Sequence, residues 1–179
     1  MSDYDLIVRS RLPDGSPIAL GIADGCFQAV GTDLSGSAKD EIDHTHGFII
    51  PGWIDAHVHF NEPGRSDWEG LTTGSRALAA GGGTLFFDMP LNSTPPVLTA
   101  AALEEKRALA EQKACTDFAL WGGLTPDSLD HLDAMATAGA IGFKAFMCPS
   151  GLDEFAHADA TTLKAGMKKA ATLNLPVAV

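Results

Sequence analysis

Apolar and polar positions follow two different patterns that meet near residue 50. After that point, short apolar runs alternate with stretches of helical periodicity, and this alternation predicts a parallel α/β fold. Strands are expected at 53–59, 84–89, 117–121 and 140–147, with a fifth at 175–179. Helices are expected at 71–80, from Thr99 to Lys113, after Thr125-Pro126, and from Asp159 or Thr161 to near Leu173.

Before residue 50, the pattern is that of a small β-structure. Short apolar runs at 5–9, 18–23 and 27–30 are separated by Pro-Asp-Gly and Asp-Gly turns, which are typical of hairpins. The sequence therefore predicts a β-domain over residues 1–50 and an α/β domain over residues 51–179.

Charge and cysteine content narrow the classes of function. The formal net charge is −11, which argues against a nucleic-acid or anionic-membrane partner because both need a basic surface. Three scattered cysteines suit a reducing cytoplasm rather than a disulfide framework. The N-terminus has no signal-peptide pattern, and no apolar run reaches the ~20 residues that span a bilayer. We therefore expect a cytoplasmic protein.

Two histidines, His57 and His59, stand at the end of the first strand predicted for the α/β region. Residues i and i+2 of a strand point to the same face, so both imidazoles can converge on one point. Neutral imidazole is a common ligand for zinc and related ions, and α/β folds place their chemistry at the carboxyl ends of strands. The spacing indicates a metal site, although such pairs also occur on plain strand surfaces.

Lys144 is the one charge inside the apolar run 140–147. A buried ammonium is costly to desolvate, so it must be paired, neutral or modified. The alternative is a lysine at the strand end that extends its ammonium into solvent. The histidine pair upstream favours the buried interpretation.

The segments His57-Val-His59, Glu62-Pro-Gly-Arg65 and Gly142-Phe-Lys144 together resemble the amidohydrolase superfamily. The resemblance is to its cyclic-amidase branch, which holds dihydroorotases, dihydropyrimidinases (hydantoinases) and allantoinases, and it runs over nearly the whole chain. It implies an incomplete (β/α)8 TIM barrel, about the first four to five strands, preceded by the small β-domain as part of a composite β-sandwich.

Within that branch, the loops 62–70, 88–96 and 143–155 resemble those of allantoinases. Asn61 stands where a dihydroorotase typically carries an arginine that grips the substrate carboxylate, and a hydantoinase typically lacks the Glu-Pro-Gly-Arg loop. The resemblance implies substrate contacts from Asn61, Arg65 and Asn92. Asp55, on the same strand face as the histidines, either orients an imidazole or is a structural carboxylate.

The resemblance also implies a cofactor and a reaction. His57, His59 and a carboxylated, bridging Lys144 would hold two divalent metal ions, with Zn²⁺ expected, and the activated hydroxide would open a cyclic amide. The expected reaction is allantoin to allantoate in purine catabolism, with dihydroorotase or hydantoinase activity as the alternative. A non-catalytic fragment or assembly partner is an alternative of another class. The implied partners are a small cyclic ureide or amide and copies of the same chain, as a dimer or tetramer.

A (β/α)8 barrel takes ~250 residues, and the 179 residues present leave no room for one beside a β-domain. We therefore expect the sequence to be the N-terminal part of a longer enzyme. Two further histidines and the aspartate that acts as general base are expected beyond Val179. The 179-residue chain alone is then expected to be inactive and prone to association, because open strand edges pair with other chains.

Overall fold

The computed structural model describes residues 2–179 and has a mixed α/β fold. The chain divides into two compact units, Met1–Pro51 and Gly52–Val179. Within residues 2–179, no helix combines the length and the apolar character needed to cross a membrane.

The first unit is a four-stranded sheet. Its strands are β1 (Tyr4–Arg11), β2 (Pro17–Ala23), β3 (Cys26–Gly31) and β4 (Ala38–Phe48), in the order β3-β2-β1-β4. β1, β2 and β3 pair antiparallel and confirm the three predicted strands, whereas β4 runs parallel to β1. β4 was not predicted, because most of its side chains are polar and exposed. It is held by its backbone ladder to β1 rather than by an apolar face.

The second unit carries six parallel strands in two sheets of three. The first sheet has the order β5-β6-β7, and the second has the order β10-β9-β8. The strands are β5 (Trp53–Val58), β6 (Gly83–Asp88), β7 (Asp117–Leu120), β8 (Gly122–Gly123), β9 (Phe143–Lys144) and β10 (Val177–Ala178). The helices are α1 (Leu71–Ala80), α2 (Ala100–Lys113), α3 (Leu132–Thr137) after a 3₁₀ turn at Pro126–His131, and α4 (Ala160–Thr172).

Hydrogen bonds connect the two sheets around Trp121. The Trp121 N–H donates to Asp88 O at 3.0 Å, and the Ile141 N–H donates to Leu120 O at 3.0 Å. The indole N–H of Trp121 donates to Ala56 O at 3.3 Å. The strands form open sheets in residues 2–179 and do not close into a barrel.

Four predicted strands are shorter than expected. The fifth, predicted at 175–179, is regular only at β10. The run 140–147 is a regular strand only at β9: before it, the Ala140 N–H donates to Met135 O outside the sheet, and after it, the Ala145 N–H makes one last bond to Ala178 O of β10. The run 117–121 breaks at Trp121 between β7 and β8. The first predicted strand ends at Val58, one residue before His59, after a register shift between Asp55 and Val58.

Helices cover these strands through apolar clusters. One cluster joins Phe60, Leu71, Phe86 and Ala110, with the rings of Phe60 and Phe86 edge to face at 4.7 Å. A larger cluster packs α3 and α4 against the second sheet and includes Phe143. Packing of this kind holds the carboxyl ends of β5, β6 and β9, where the candidate site lies.

Candidate metal centre

The two histidines lie at the carboxyl end of β5. Their ring centroids are 5.3 Å apart, with the ring planes tilted by 56°. His57 is exposed and His59 is half-buried. Asp55 Oδ1 accepts the backbone N–H of His57 at 3.1 Å, so the contact that Asp55 makes is with the strand backbone and not with an imidazole.

His59 has the properties of a neutral ligand. Its Nδ1 is buried and has no hydrogen-bond partner in residues 2–179. Burial lowers the pKa of His59 below its usual value, while the backbone of Leu91 and the carboxylate of Asp88 act in the opposite direction. A neutral imidazole with an unpartnered nitrogen is the form that binds a divalent metal ion, so His59 fits the predicted centre.

Lys144 lies at the carboxyl end of β9 and is buried, with 7% exposure. Its Nζ is 4.8 Å from the centroid of the Phe146 ring. In the described part of the chain, no carboxylate forms an ion pair with it. A buried lysine residue without a carboxylate partner fits a side chain that is modified or that binds metal ions.

Within residues 2–179, no three His, Cys, Asp or Glu side chains come together as a metal site. The donors that the sequence predicts, the histidine pair and Lys144, lie at the ends of β5 and β9. The chemistry of these donors, two imidazoles and one lysine amine, suits a metal centre.

The loop after β5 is fixed by its own polar side chains. Asn61 is buried at φ +57°, where its Nδ2 donates to Glu69 O at 3.4 Å and its Oδ1 has no partner in the described residues. Glu62 is also buried; it accepts the N–H of Leu71 at the start of α1 at 3.2 Å and pairs with Lys113 at the end of α2. Glu62 therefore joins the loop to two helices.

Arg65 connects the three loops that follow β5, β6 and β9. Its guanidinium donates to the backbone oxygen of Asn92 at 3.3 Å and to Glu154 Oε1 at 2.9 Å. Its Cζ also lies 5.2 Å from the centroid of the Trp68 ring. Two of the three residues predicted to contact substrate, Arg65 and Asn92, are thus joined through the backbone oxygen of Asn92.

The sequence did not reveal the buried ion pair between Asp88 and Lys106. Asp88 and Lys106 are almost completely buried, with Nζ 3.0 Å from Oδ2. The signal was present in α2, where Leu103, Lys106 and Ala110 share the buried face at helical spacing. A lysine on an apolar helix face requires an internal partner.

Parallel strands, with two histidines at the carboxyl end of β5, are the arrangement of α/β folds that build their sites on the loops after the strands. The family model described as "Amidohydrolase family" matches residues 48–179, and the chain belongs to that family.

Curated relatives and solved structures agree with this membership. The allantoinase of Solibacter usitatus is 57% identical over 160 residues, which cover 89% of this chain and 35% of the relative. The allantoinase of Rubrobacter xylanophilus is 50% identical over 182 residues, which cover 100% of this chain and 40% of the relative. The L-hydantoinase (dihydropyrimidinase) from Arthrobacter aurescens matches with a TM-score of 0.91 at 30% identity, over 97% of this chain and 40% of that one.

A D-hydantoinase matches with a TM-score of 0.79 at 26% identity, over 97% of this chain and 39% of that one. The chain thus spans about two fifths of the length of the relatives that it matches.

Proposed function

We propose that the protein to which this chain belongs is a metal-dependent cyclic amidohydrolase that opens allantoin to allantoate. The observation that carries the proposal is the histidine pair at the end of β5, with the buried and unpartnered Nδ1 of His59. The relatives named allantoinase, at 57% and 50% identity, support allantoin as the substrate.

His57, His59 and Lys144 would hold the metal ions, with Lys144 carboxylated and bridging two Zn²⁺. Metal ions there would lower the pKa of water and polarise the carbonyl of the ring. Carboxylation would replace the ammonium of Lys144 by an anionic oxygen ligand, which suits a buried position that has no carboxylate partner. The burial of His59 would keep its imidazole neutral and available as a ligand.

The substrate is proposed to be a small cyclic ureide held by the loops after β5 and β6. Asn61 Oδ1 is a buried acceptor without a partner in residues 2–179, and a ureide N–H could satisfy it. The carboxylate of dihydroorotate would instead be repelled by this oxygen. Asn61 therefore favours a substrate rich in N–H groups.

Metal analysis of the protein expressed from its complete gene tests the centre. Two equivalents of zinc are expected in the wild type, with a clear loss in Lys144→Ala and His59→Asn. Lys164→Ala, at an exposed position of α4, is the matched control and should keep its metal. An unchanged metal content in Lys144→Ala would contradict the proposal, and a wild type without metal would favour a non-catalytic assembly partner.

A side-by-side assay tests the substrate. Allantoin should be turned over faster than dihydroorotate, hydantoin and dihydropyrimidines by the same preparation. Because the chain resembles hydantoinases in structure, hydantoin is the most informative competing substrate. Faster opening of hydantoin or dihydroorotate would overturn the assignment of allantoin while leaving the metal centre intact.

A further inference from the structure

Asp88 and Lys106 form an ion pair that is sealed from solvent. Their side chains are 0% and 1% exposed, and Nζ lies 3.0 Å from Oδ2. Asp88 ends β6, and Lys106 lies in the middle of α2. A buried pair is weak evidence for stability, because the cost of desolvation offsets the Coulomb attraction. Its role must be sought in the groups that the two side chains hold.

Those groups are the backbone on either side of His59. Asp88 Oδ1 accepts the N–H of Phe60 at 3.1 Å. The N–H of Met89 donates to Val58 O at 2.9 Å, and Lys106 Nζ donates to Met89 O at 3.0 Å. His59 is therefore set between two residues whose backbone is tied to the Asp88–Met89 segment. Lys106 bonds that segment at Met89 O and pairs with Asp88 by charge, while Asp88 Oδ2 has no hydrogen-bond partner in residues 2–179.

We propose that Asp88 is a positioning residue for the metal centre, which fixes the backbone of His59 so that its imidazole keeps its direction. Asp88 acts through the N–H of Phe60, and Lys106 supplies the counter-charge that lets the Asp88 carboxylate be buried there. The inference rests on the proposed function of His59 as a metal ligand. Removal of outer contacts of this kind typically weakens metal binding by about 10–100-fold.

The competing explanation is that the pair only joins α2 to β6. Removal of both charges would then change stability and leave metal affinity alone. Two double variants without buried charge separate these explanations, Asp88→Asn/Lys106→Met and Asp88→Leu/Lys106→Met. Both avoid an unpaired buried ion, and they differ in whether residue 88 still offers an oxygen to the N–H of Phe60.

The experiment measures the zinc affinity of each variant by competition with a chromophoric chelator, in the protein expressed from its complete gene. Asp88→Asn/Lys106→Met should bind zinc within about threefold of the wild type, and Asp88→Leu/Lys106→Met about 10–100-fold more weakly. Leu103→Ala, on the same buried face of α2, controls for destabilisation and should keep wild-type affinity despite a lower melting temperature.

Equal zinc affinity in the two double variants would overturn the inference. Should the leucine variant fail to fold, Asp88→Ser/Lys106→Met takes its place, because serine is one carbon shorter and its hydroxyl falls short of the N–H of Phe60. A wild type that binds no zinc, or a His59→Asn variant that binds it as the wild type does, would instead contradict the proposed function. The two failures are thereby distinguished.

Discussion

At the scale of single residues, the two histidines of the candidate centre have different environments. His57 is exposed at the end of β5, whereas His59 is half-buried beside the Asp88 carboxylate. Burial disfavours the charged imidazolium more than the nearby carboxylate favours it, so the pKa of His59 is lowered. The surroundings of His59 therefore favour the neutral imidazole, which is the form that the proposed metal centre requires.

This environment predicts a pH dependence of stability in the metal-free protein. The folded-state pKa of His59 lies below its usual value of 6.5. As the pH falls below 6.5, the unfolded chain therefore takes up a proton at His59 that the folded chain does not, and the free energy of unfolding declines. Above that pH both states are neutral at His59 and the contribution is fully present.

Denaturant unfolding in the presence of a chelator, from about pH 8 to about pH 5.5, measures the effect. The wild type should lose stability more steeply on acidification than His59→Gln. Parallel curves for the two proteins would show that the burial of His59 has no thermodynamic consequence.

At the scale of elements, α1 approaches the end of β5 closely because it lacks a side chain at one position. An added Cβ at Gly74 would lie 2.4 Å from the ring of Phe60. Phe60 follows His59 directly, so the helix packs against the residue that Asp88 holds by its N–H. The glycine thus lets α1 support the strand end that carries the histidines.

Gly74→Ala is expected to destabilise the protein by about 1–3 kcal/mol, because overpacking forces the Phe60 ring or the helix to move. This sign is opposite to the gain of up to ~1 kcal/mol that glycine to alanine gives inside an unconstrained helix. Thermal or denaturant unfolding measures the change. The loss should be smaller in a Phe60→Leu background, and additive effects of the two substitutions would argue against the contact.

At the scale of the whole second unit, one guanidinium links the loops after three strands. Arg65 reaches Asn92 O and Glu154 Oε1, and Glu154 lies 89 residues away in sequence. The pair with Glu154 is partly exposed, at 23% and 36%, so its contribution to overall stability is small. Its effect is better sought in the relative positions of loops that would surround a substrate.

Arg65→Ala is expected to raise KM for allantoin about tenfold, the equivalent of ~1.4 kcal/mol of binding. If Arg65 acts by holding the loops, Glu154→Gln should raise KM in part, by about threefold, with little change in kcat. Glu111→Gln, at an exposed position of α2, is the matched control. A normal KM in Glu154→Gln, together with a raised KM in Arg65→Ala, would indicate that Arg65 contacts the substrate directly.

The sequence by itself determined the features that depend on near neighbours in the chain. Helices α1 and α2 begin and end where periodicity and capping predicted, and Thr99 accepts the N–H of Ala102 at the start of α2. The N-cap of α4 is Asp159, one of the two predicted residues. The histidine pair was predicted for the same reason, from its spacing in the sequence, although β5 ends at Val58 and His59 lies just beyond it.

Only the tertiary structure decided the features that depend on distant partners. β4 is a strand because β1 offers it a backbone ladder, although its own side chains are polar and exposed. The charge of Lys106 is accommodated by Asp88 on another element, and Arg65 is engaged by loops far along the chain. Caps and periodicity act within a few residues, whereas these pairings exist only once the topology has brought distant segments of the chain together.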